Sequence, residues 1–237
     1  VNTTSGELWS VLTWNVHGSD RPDVESLATA IRNDAPDIVV IQEIRNGQAE
    51  ALATMLSMRY TWALKHFPYT RALWWCAEGM AIMTPHMLDA AGHIEVSDSQ
   101  PKRTWRRRIA QWALVGRADR SAVLIYNLHL SPHRDATSRR AEAARVSDIV
   151  ERIGDTPRPI VAGDLNDAGD PTIIDALPGV EHIVPPHTSP SDAPTQLLDH
   201  VLLPSDAYDV SVSVPAGGAR WAKMSDHLPL TVRFTLP

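Results

Sequence analysis

The sequence predicts a mixed α/β or α+β protein in which many short strands are covered by amphipathic helices. Three observations carry that prediction. Short apolar runs of strand length recur along the 237 residues, and segments with helical apolar spacing lie between several of them. Neither a fixed-period repeat nor a break in composition divides the chain, so residues 1–237 are expected to form a single domain.

In chain order, residues 8–15 alternate in the rhythm of a half-buried strand. Val24, Leu27, Ala28 and Ile31 follow the i, i+3, i+4, i+7 spacing of a helix face, and Pro36 closes that segment. Residues 37–43 read as an almost uninterrupted buried strand ending in polar residues, and Leu52, Met55 and Leu56 mark a second helix. Residues 80–84, 109–116, 121–130 and 158–164 are further strands, with Asp119 and Arg120 in the turn of a hairpin. Val146, Ile149, Val150 and Ile153 outline another helix, and residues 199–203 and 228–236 complete the strands. Residues 178–194, crowded with Pro, Ser, Thr and Asp, read as a surface loop.

Composition narrows the function classes. Hydrophobic residues make up 43% and charged residues 21%, which excludes a disordered, collagen-like or coiled-coil chain. No apolar run reaches the roughly 18–20 residues of a membrane helix, so no transmembrane segment is expected. The single Cys76 excludes an intramolecular disulfide framework and a Cys-rich zinc site. The first ten residues lack the pattern of a signal peptide, and the expectation is a cytoplasmic rather than secreted monomer. The net charge of −6, from 22 basic and 28 acidic residues, gives no general grip on nucleic acid. Between Lys102 and Arg108, however, five basic residues stand without an acid, either as a place to meet a phosphate or as a solvated loop.

Polar residues collect where the strands end. Thr13-Trp14-Asn15, Ile41-Gln42-Glu43, Asn127-Leu128-His129, Gly163-Asp164-Leu165-Asn166 and Ser225-Asp226-His227 each put carboxylate, amide or imidazole groups at a strand exit. Any one of them is an ordinary turn; together they supply what is needed to hold a hard divalent cation through oxygen and to handle protons at a phosphoryl centre. Hydrolysis of a phosphodiester requires charge neutralisation, an in-line water and a stabilised leaving oxygen. Magnesium meets the first need, His and Asp the other two, and the absence of Cys ligands fits an oxygen-ligated metal.

Trp14-Asn15, Gln42-Glu43, Asn127-Leu128-His129, Gly163-Asp164-Leu165-Asn166, Leu198-Asp199-His200-Val201 and Ser225-Asp226-His227-Leu228-Pro229-Leu230 resemble, in order and approximate spacing, the motifs of the endonuclease/exonuclease/phosphatase superfamily, which includes deoxyribonuclease I. The resemblance implies a four-layered sandwich of two packed mixed β-sheets flanked by helices, with a metal site across one end. It implies Glu43 as the main Mg2+ ligand, with Mn2+ as a substitute, and Asn15 and Asp226 as further ligands. Asp164 resembles the residue that orients or deprotonates the attacking water, Asn166 the amide at the scissile phosphate, and His227 the imidazole held by Asp199. Whether Asp164 or the His227–Asp199 pair is the general base stays open.

His129 matches a second imidazole of deoxyribonuclease I and the sphingomyelinases, which protonates the leaving oxygen or binds the phosphate, and Glu78 sits where deoxyribonuclease I has a carboxylate partner for it. One arginine among Arg106 to Arg108 resembles the family's phosphate-facing arginine at the start of a strand, and strand alternation allows Arg107. Of the eight Trp, Trp62, Trp74, Trp75, Trp105 and Trp221 fall in or near expected loops, as stacking faces for a base or as packing at the sandwich edges. Trp221, four residues before Ser225, is the strongest candidate for substrate contact. Glu43-Ile44-Arg45 departs from the Glu-Thr-Lys of apurinic endonucleases, and a Lys-rich inositol-phosphatase loop is missing. The expectation is a Mg-dependent phosphoric ester hydrolase, a phosphodiesterase acting as a nuclease on DNA or RNA. The alternatives are a phosphatase or phosphodiesterase on a small metabolite or lipid headgroup, or a repurposed member with a non-nuclease role.

Overall fold

The structure is a computed structural model that describes residues 6–66, 71–97, 107–118, 121–132, 134–153, 159–167 and 169–237. Among the described residues, eleven strands form two mixed sheets. The first contains β1 (Glu7–Asn15), β2 (Ile38–Arg45), β3 (Arg59–His66), β4 (Glu78–Thr84), β10 (Tyr208–Ser213) and β11 (Leu230–Leu236), in the order β10-β11-β1-β2-β4-β3. The second contains β5 (Met87–Glu95), β6 (Ile109–Gly116), β7 (Ala122–His129), β8 (Pro159–Asp164) and β9 (Asp199–Leu202), in the order β5-β6-β7-β8-β9. Each sheet has one parallel pair, β1 with β2 and β7 with β8, and the connections crossing over those pairs carry helices. These are α1 (Val24–Asp34) over the first sheet and α3 (Ala136–Ile153) over the second, while α2 (Asn46–Leu56) follows β2 and lies beside α1.

Period-two alternation explains why the central strands read as nearly continuous apolar runs. Trp9, Val11, Ile38 and Val40 point between the sheets, where they meet Ile125, Ile160 and Ala162. Their neighbours Leu12, Trp14, Val39 and Ile41 point outward under Leu27, Ile31 and Leu52 of α1 and α2. Across the sandwich, Leu124, Tyr126, Leu128 and Val161 pack under Ala143, Val146 and Val150 of α3. Each central strand is thus buried on both faces, giving the helix–sheet–sheet–helix layering expected from the motifs. Local signals set the helix ends: Asp23 accepts a hydrogen bond from Ser26 N at 3.0 Å to cap α1, and Ala35, in left-handed conformation before Pro36, ends it.

Three strands escape the sequence reading, and all three are sheet edges. β3, β5 and β10 lie at the outside of their sheets and carry charged or polar residues among the apolar ones; β5 and β10 stay largely exposed and β3 mostly half-buried. Trp62 accordingly sits inside β3 rather than in a loop, with its Nε1 donating to Ile44 O at 3.0 Å. The expected turn at Asp119 and Arg120 lies outside the described residues, as do Trp105, Arg106 and most of the basic run from Lys102. No helix among the described residues is long and apolar enough to cross a membrane.

Candidate active site

At one end of the sandwich the strand exits enclose a cavity of about 400 Å3 lined by polar groups. Asn15 from β1, Glu43 from β2, Glu78 from β4, His129 from β7, Asp164 and Asn166 at the exit of β8, and Asp226 and His227 before β11 all face it. Asp199, from β9, stands behind His227. Arg107 and Trp221 are not among the lining residues.

Backbone geometry aims these groups. Glu43 occupies an irregularity in the β2–β4 pairing, between Ile41 and Ile44, and adopts φ 55°. A non-glycine residue in that region stores about 1–3 kcal/mol of strain, retained here where it turns a carboxylate off the sheet into the cavity. Gly18 allows the preceding loop to close on that same residue, since a Cβ there would lie 2.4 Å from Glu43 O. At the exit of β8, Gly163 has φ 148°, and a Cβ would lie 2.0 Å from Leu128 O. Only glycine lets β8 approach β7 at the point where Asp164 and His129 are paired across the sheet.

The His227 segment is anchored from the core. Trp14 Nε1 donates to His227 O at 2.9 Å, and Ser225 Oγ donates to Asn15 O at 2.6 Å while accepting from His227 N at 3.1 Å. Gln42 and Asn127, both singled out in the motifs, turn between the sheets instead of into the cavity. Gln42 Nε2 donates to Asn127 Oδ1 at 2.8 Å, and Asn127 Nδ2 donates to Ile41 O at 3.0 Å. They are buried polar staples, joined to one another and to the backbone although Gln42 Oε1 is left without a partner, and they hold the two halves of the site in register.

The titrating groups are driven apart by their surroundings. His227 Nδ1 lies 2.8 Å from Asp199 Oδ2, which also accepts from Thr188 Oγ1 at 2.6 Å. Burial disfavours the imidazolium of His227, but the Asp199 and Asp164 carboxylates outweigh it and push its pKa up to about 10. Burial raises Asp164 to about 6 against the opposing pull of His227. Asp164 is fixed by Asn15 Nδ2, which donates to Oδ2 at 3.0 Å, and by Asn166 N, which donates to Oδ1 at 3.1 Å. For His129, burial first and then the positive charges of Lys65 and Arg108 hold the pKa well below the usual imidazole range.

Two groups of ligand atoms are of metal-binding type. Asp164, Asp199 and His227, all buried, each bring one such atom within 4.8 Å of the others. Asp199 and His227 are already hydrogen-bonded to each other, Asp199 also to Thr188, and Asp164 to Asn15. Glu43 contrasts with them: its carboxylate makes no hydrogen bond to another described residue, and the nearest cationic candidate, His129 Nε2, is 3.6 Å away. A strained, uncommitted carboxylate beside the amide of Asn15 and the half-exposed carboxylate of Asp226 is an oxygen donor set suited to a hard divalent ion.

Three sequence expectations are revised by geometry. Arg107 donates through Nη2 to Leu64 O at 2.7 Å and lies 3.7 Å from Glu95, outside the cavity, whereas Arg108 lines it and donates through Nη1 to His129 O at 3.3 Å. One residue of register separates the two. Trp221, in a short helix (Ala219–Ala222), packs edge-on against Trp14, with centroids 6.0 Å apart, and belongs to the apolar layer under α1. Glu78 does not meet His129 directly, because Lys65 stands between them at 2.8 Å from each. Lys65 itself, together with His66, His17 and Ser19, joins the lining without having been singled out. Its strand is a polar edge strand, where a lysine is unremarkable by pattern.

Comparison with known proteins agrees with this geometry. Residues 12–227 match the family described as "Endonuclease/Exonuclease/phosphatase family". A comparison with curated proteins finds no match. Among solved structures, an endonuclease/exonuclease/phosphatase family protein from Bacteroides thetaiotaomicron aligns with TM-score 0.76 and 17% identity, over 98% of this chain and 99% of that one. Truncated Caenorhabditis elegans TDP2 aligns with TM-score 0.72 and 18% identity, over 97% of this chain and 98% of that one. A Bacteroides thetaiotaomicron mannosyl-6-phosphatase aligns with TM-score 0.73 and 18% identity, over 96% and 100%.

Proposed function

The chain belongs to the endonuclease/exonuclease/phosphatase family of phosphoesterases, and on that premise we propose that it is a Mg2+-dependent phosphodiesterase, with Mn2+ as a substitute, acting as a nuclease. The observation that carries this reading is the convergence of Glu43, Asn15 and Asp226 with Asp164, Asn166, His129 and His227 on one cavity.

Glu43, Asn15 and Asp226 would hold the metal. Mg2+ held there would supply positive charge against the phosphoryl oxygens. Asp164 then takes the proton of the attacking water. Its rigid hydrogen bonds fix the direction of the free lone pair, and its pKa near 6 leaves it ionised at neutral pH yet basic enough to act. His227 is the poorer candidate for that step, because Asp199 holds it in the protonated form; it serves instead as a cation at the phosphate. Asn166 and Arg108 add donors around the same centre.

Nucleic acid is favoured as substrate by the rim. Trp75 is 63% exposed, and the guanidinium carbons of Arg45 and Arg21 lie 5.6 and 6.0 Å from its ring centroid. Arg45 also donates to the carbonyl of Ser19, a residue of the cavity lining, at 3.3 Å. An aromatic face edged by two cations suits a base and its phosphates.

Turnover of bis(nitrophenyl) phosphate and of nitrophenyl phosphate, each with Mg2+ and with chelator, tests the reaction. The diester is expected to be the better substrate. Preference for the monoester would favour a phosphatase on a small metabolite, and no metal-dependent turnover of either would sink the enzyme reading. Plasmid DNA, single-stranded DNA and RNA then test the substrate class.

A further inference from the structure

We propose that Lys65 locks His129 in the neutral tautomer that carries its proton on Nε2, so that this imidazole meets the phosphate as a hydrogen-bond donor and transfers no proton to the leaving oxygen.

Lys65 projects from the edge strand β3 and is fully buried. Its Nζ lies 2.8 Å from Glu78 Oε1 on the neighbouring strand β4 and 2.8 Å from His129 Nδ1 on the opposite sheet. Burial pulls the Lys65 pKa down, but the Glu78 carboxylate at that distance opposes the shift and favours the ammonium, and an ammonium only donates. His129 Nδ1 must therefore present its lone pair, which assigns the single proton of a neutral ring to Nε2.

The other side of the ring agrees independently. Nε2 faces Glu43 Oε1 at 3.6 Å and Asp164 Oδ2 at 3.7 Å. A nitrogen lone pair pointed at two carboxylates is repelled, whereas an N–H is attracted. His227 has the opposite wiring, with its Nδ1 against a carboxylate. One cavity thus contains two imidazoles whose polarity is reversed by their partners, an ammonium for one and a carboxylate for the other.

The catalytic consequence rests on the phosphoesterase reading; the tautomer does not. A neutral imidazole that gave up its Nε2 proton would become an imidazolate unless Lys65 passed a proton to Nδ1 in the same step, and the Glu78 carboxylate that holds the ammonium opposes that transfer; His129 therefore stabilises charge on a phosphoryl oxygen without general-acid transfer. Lys65 and Glu78 are positioning residues that act through it.

Long-range 1H–15N correlation of the full chain with 15N-labelled histidine reads the tautomer directly, with His129 assigned by loss of its signals in His129→Gln. The expected pattern at neutral pH is a protonated Nε2 and a lone-pair Nδ1, and Lys65→Met is expected to redistribute the proton toward Nδ1. A protonated Nδ1 in the wild type, with Nε2 bare or protonated, overturns the proposal, and this holds even if the Lys65 variant fails to fold. In turnover, His129→Ala is expected to lose about 100-fold, by the same factor for nitrophenolate and for alkoxide leaving groups, while His129→Gln retains most of the rate through its side-chain N–H. A loss far larger for alkoxide would refute the absence of proton transfer. Absence of all turnover alongside an Nε2 tautomer would refute the function and leave the Lys65 assignment standing.

Discussion

His227 and Asp199 form a buried pair with Nδ1 2.8 Å from Oδ2, and the other face of the imidazole looks toward Asp164, with Nε2 3.9 Å from Oδ2. The ring is therefore a cation between two carboxylates, one structural and one facing the cavity. Asp199→Asn keeps the shape but removes the charge that sustains the imidazolium. It is expected to cost about 100- to 10,000-fold in kcat, with a similar loss in His227→Ala. Because the two residues act as a unit, the double variant should be little worse than either single one. Full additivity of the two losses in steady-state kinetics would show that the pair does not work together.

Glu43 links strain to function. If its left-handed backbone is maintained for the sake of the carboxylate, Glu43→Gly should be more stable than Glu43→Ala by about 1 kcal/mol, or roughly 2–4 °C in Tm, with both inactive. Mg2+ should raise the Tm of the wild type and leave both variants unmoved, since a ligand stabilises only the state that binds it. Thermal unfolding with and without Mg2+ checks both statements; an undiminished metal-induced shift in Glu43→Ala would remove Glu43 from the ligand set.

Gly163→Ala tests the approach of β8 to β7. The added methyl would lie 2.0 Å from Leu128 O at a φ of 148°, so relief requires the strands to part. The expected cost is about 3 kcal/mol or more, and activity should fall with it because Asp164 and His129 are paired across that seam. Chemical denaturation measures the first effect; a variant of unchanged midpoint would contradict the close approach.

What could be read from the sequence divides along a physical line. Strands buried on both faces, such as β1, β2, β7 and β8, announce themselves as apolar runs, and their exits place Asn15, Glu43, His129 and Asp164 at the mouth of one cavity. The polar edge strands β3, β5 and β10 carry no such signature, unlike the buried edge strand β9. β3 escapes the apolar pattern for that reason, and Lys65 with it, so pattern alone does not identify the partner of His129. Arg107 and Arg108 differ by one step of a period-two pattern just before β6, where nothing apolar pins the register. Trp221 could not be distinguished from a substrate platform until its packing against Trp14 was visible.

The last prediction concerns His200, immediately after Asp199 in β9 and 1% exposed. Its Nδ1 lies 2.7 Å from Glu181 Oε1 and its Nε2 3.1 Å from Asp167 Oδ1, so the ring ties two loops to the strand that supports the catalytic pair. Burial opposes its charge, yet the two carboxylates prevail and raise its pKa to about 9. A group whose folded pKa exceeds its unfolded value, about 6.5 for histidine, stabilises the fold fully below the unfolded value. That contribution is lost as pH rises through the folded one. The wild type should therefore lose stability between about pH 6.5 and 9, and the gap in Tm between wild type and His200→Gln should narrow across that interval. His227 shares the sign of the effect but is present in both proteins, so the gap isolates His200. A gap that stays constant, or widens with rising pH, would mean that His200 is held neutral and that its two carboxylates do not act on it as the geometry requires.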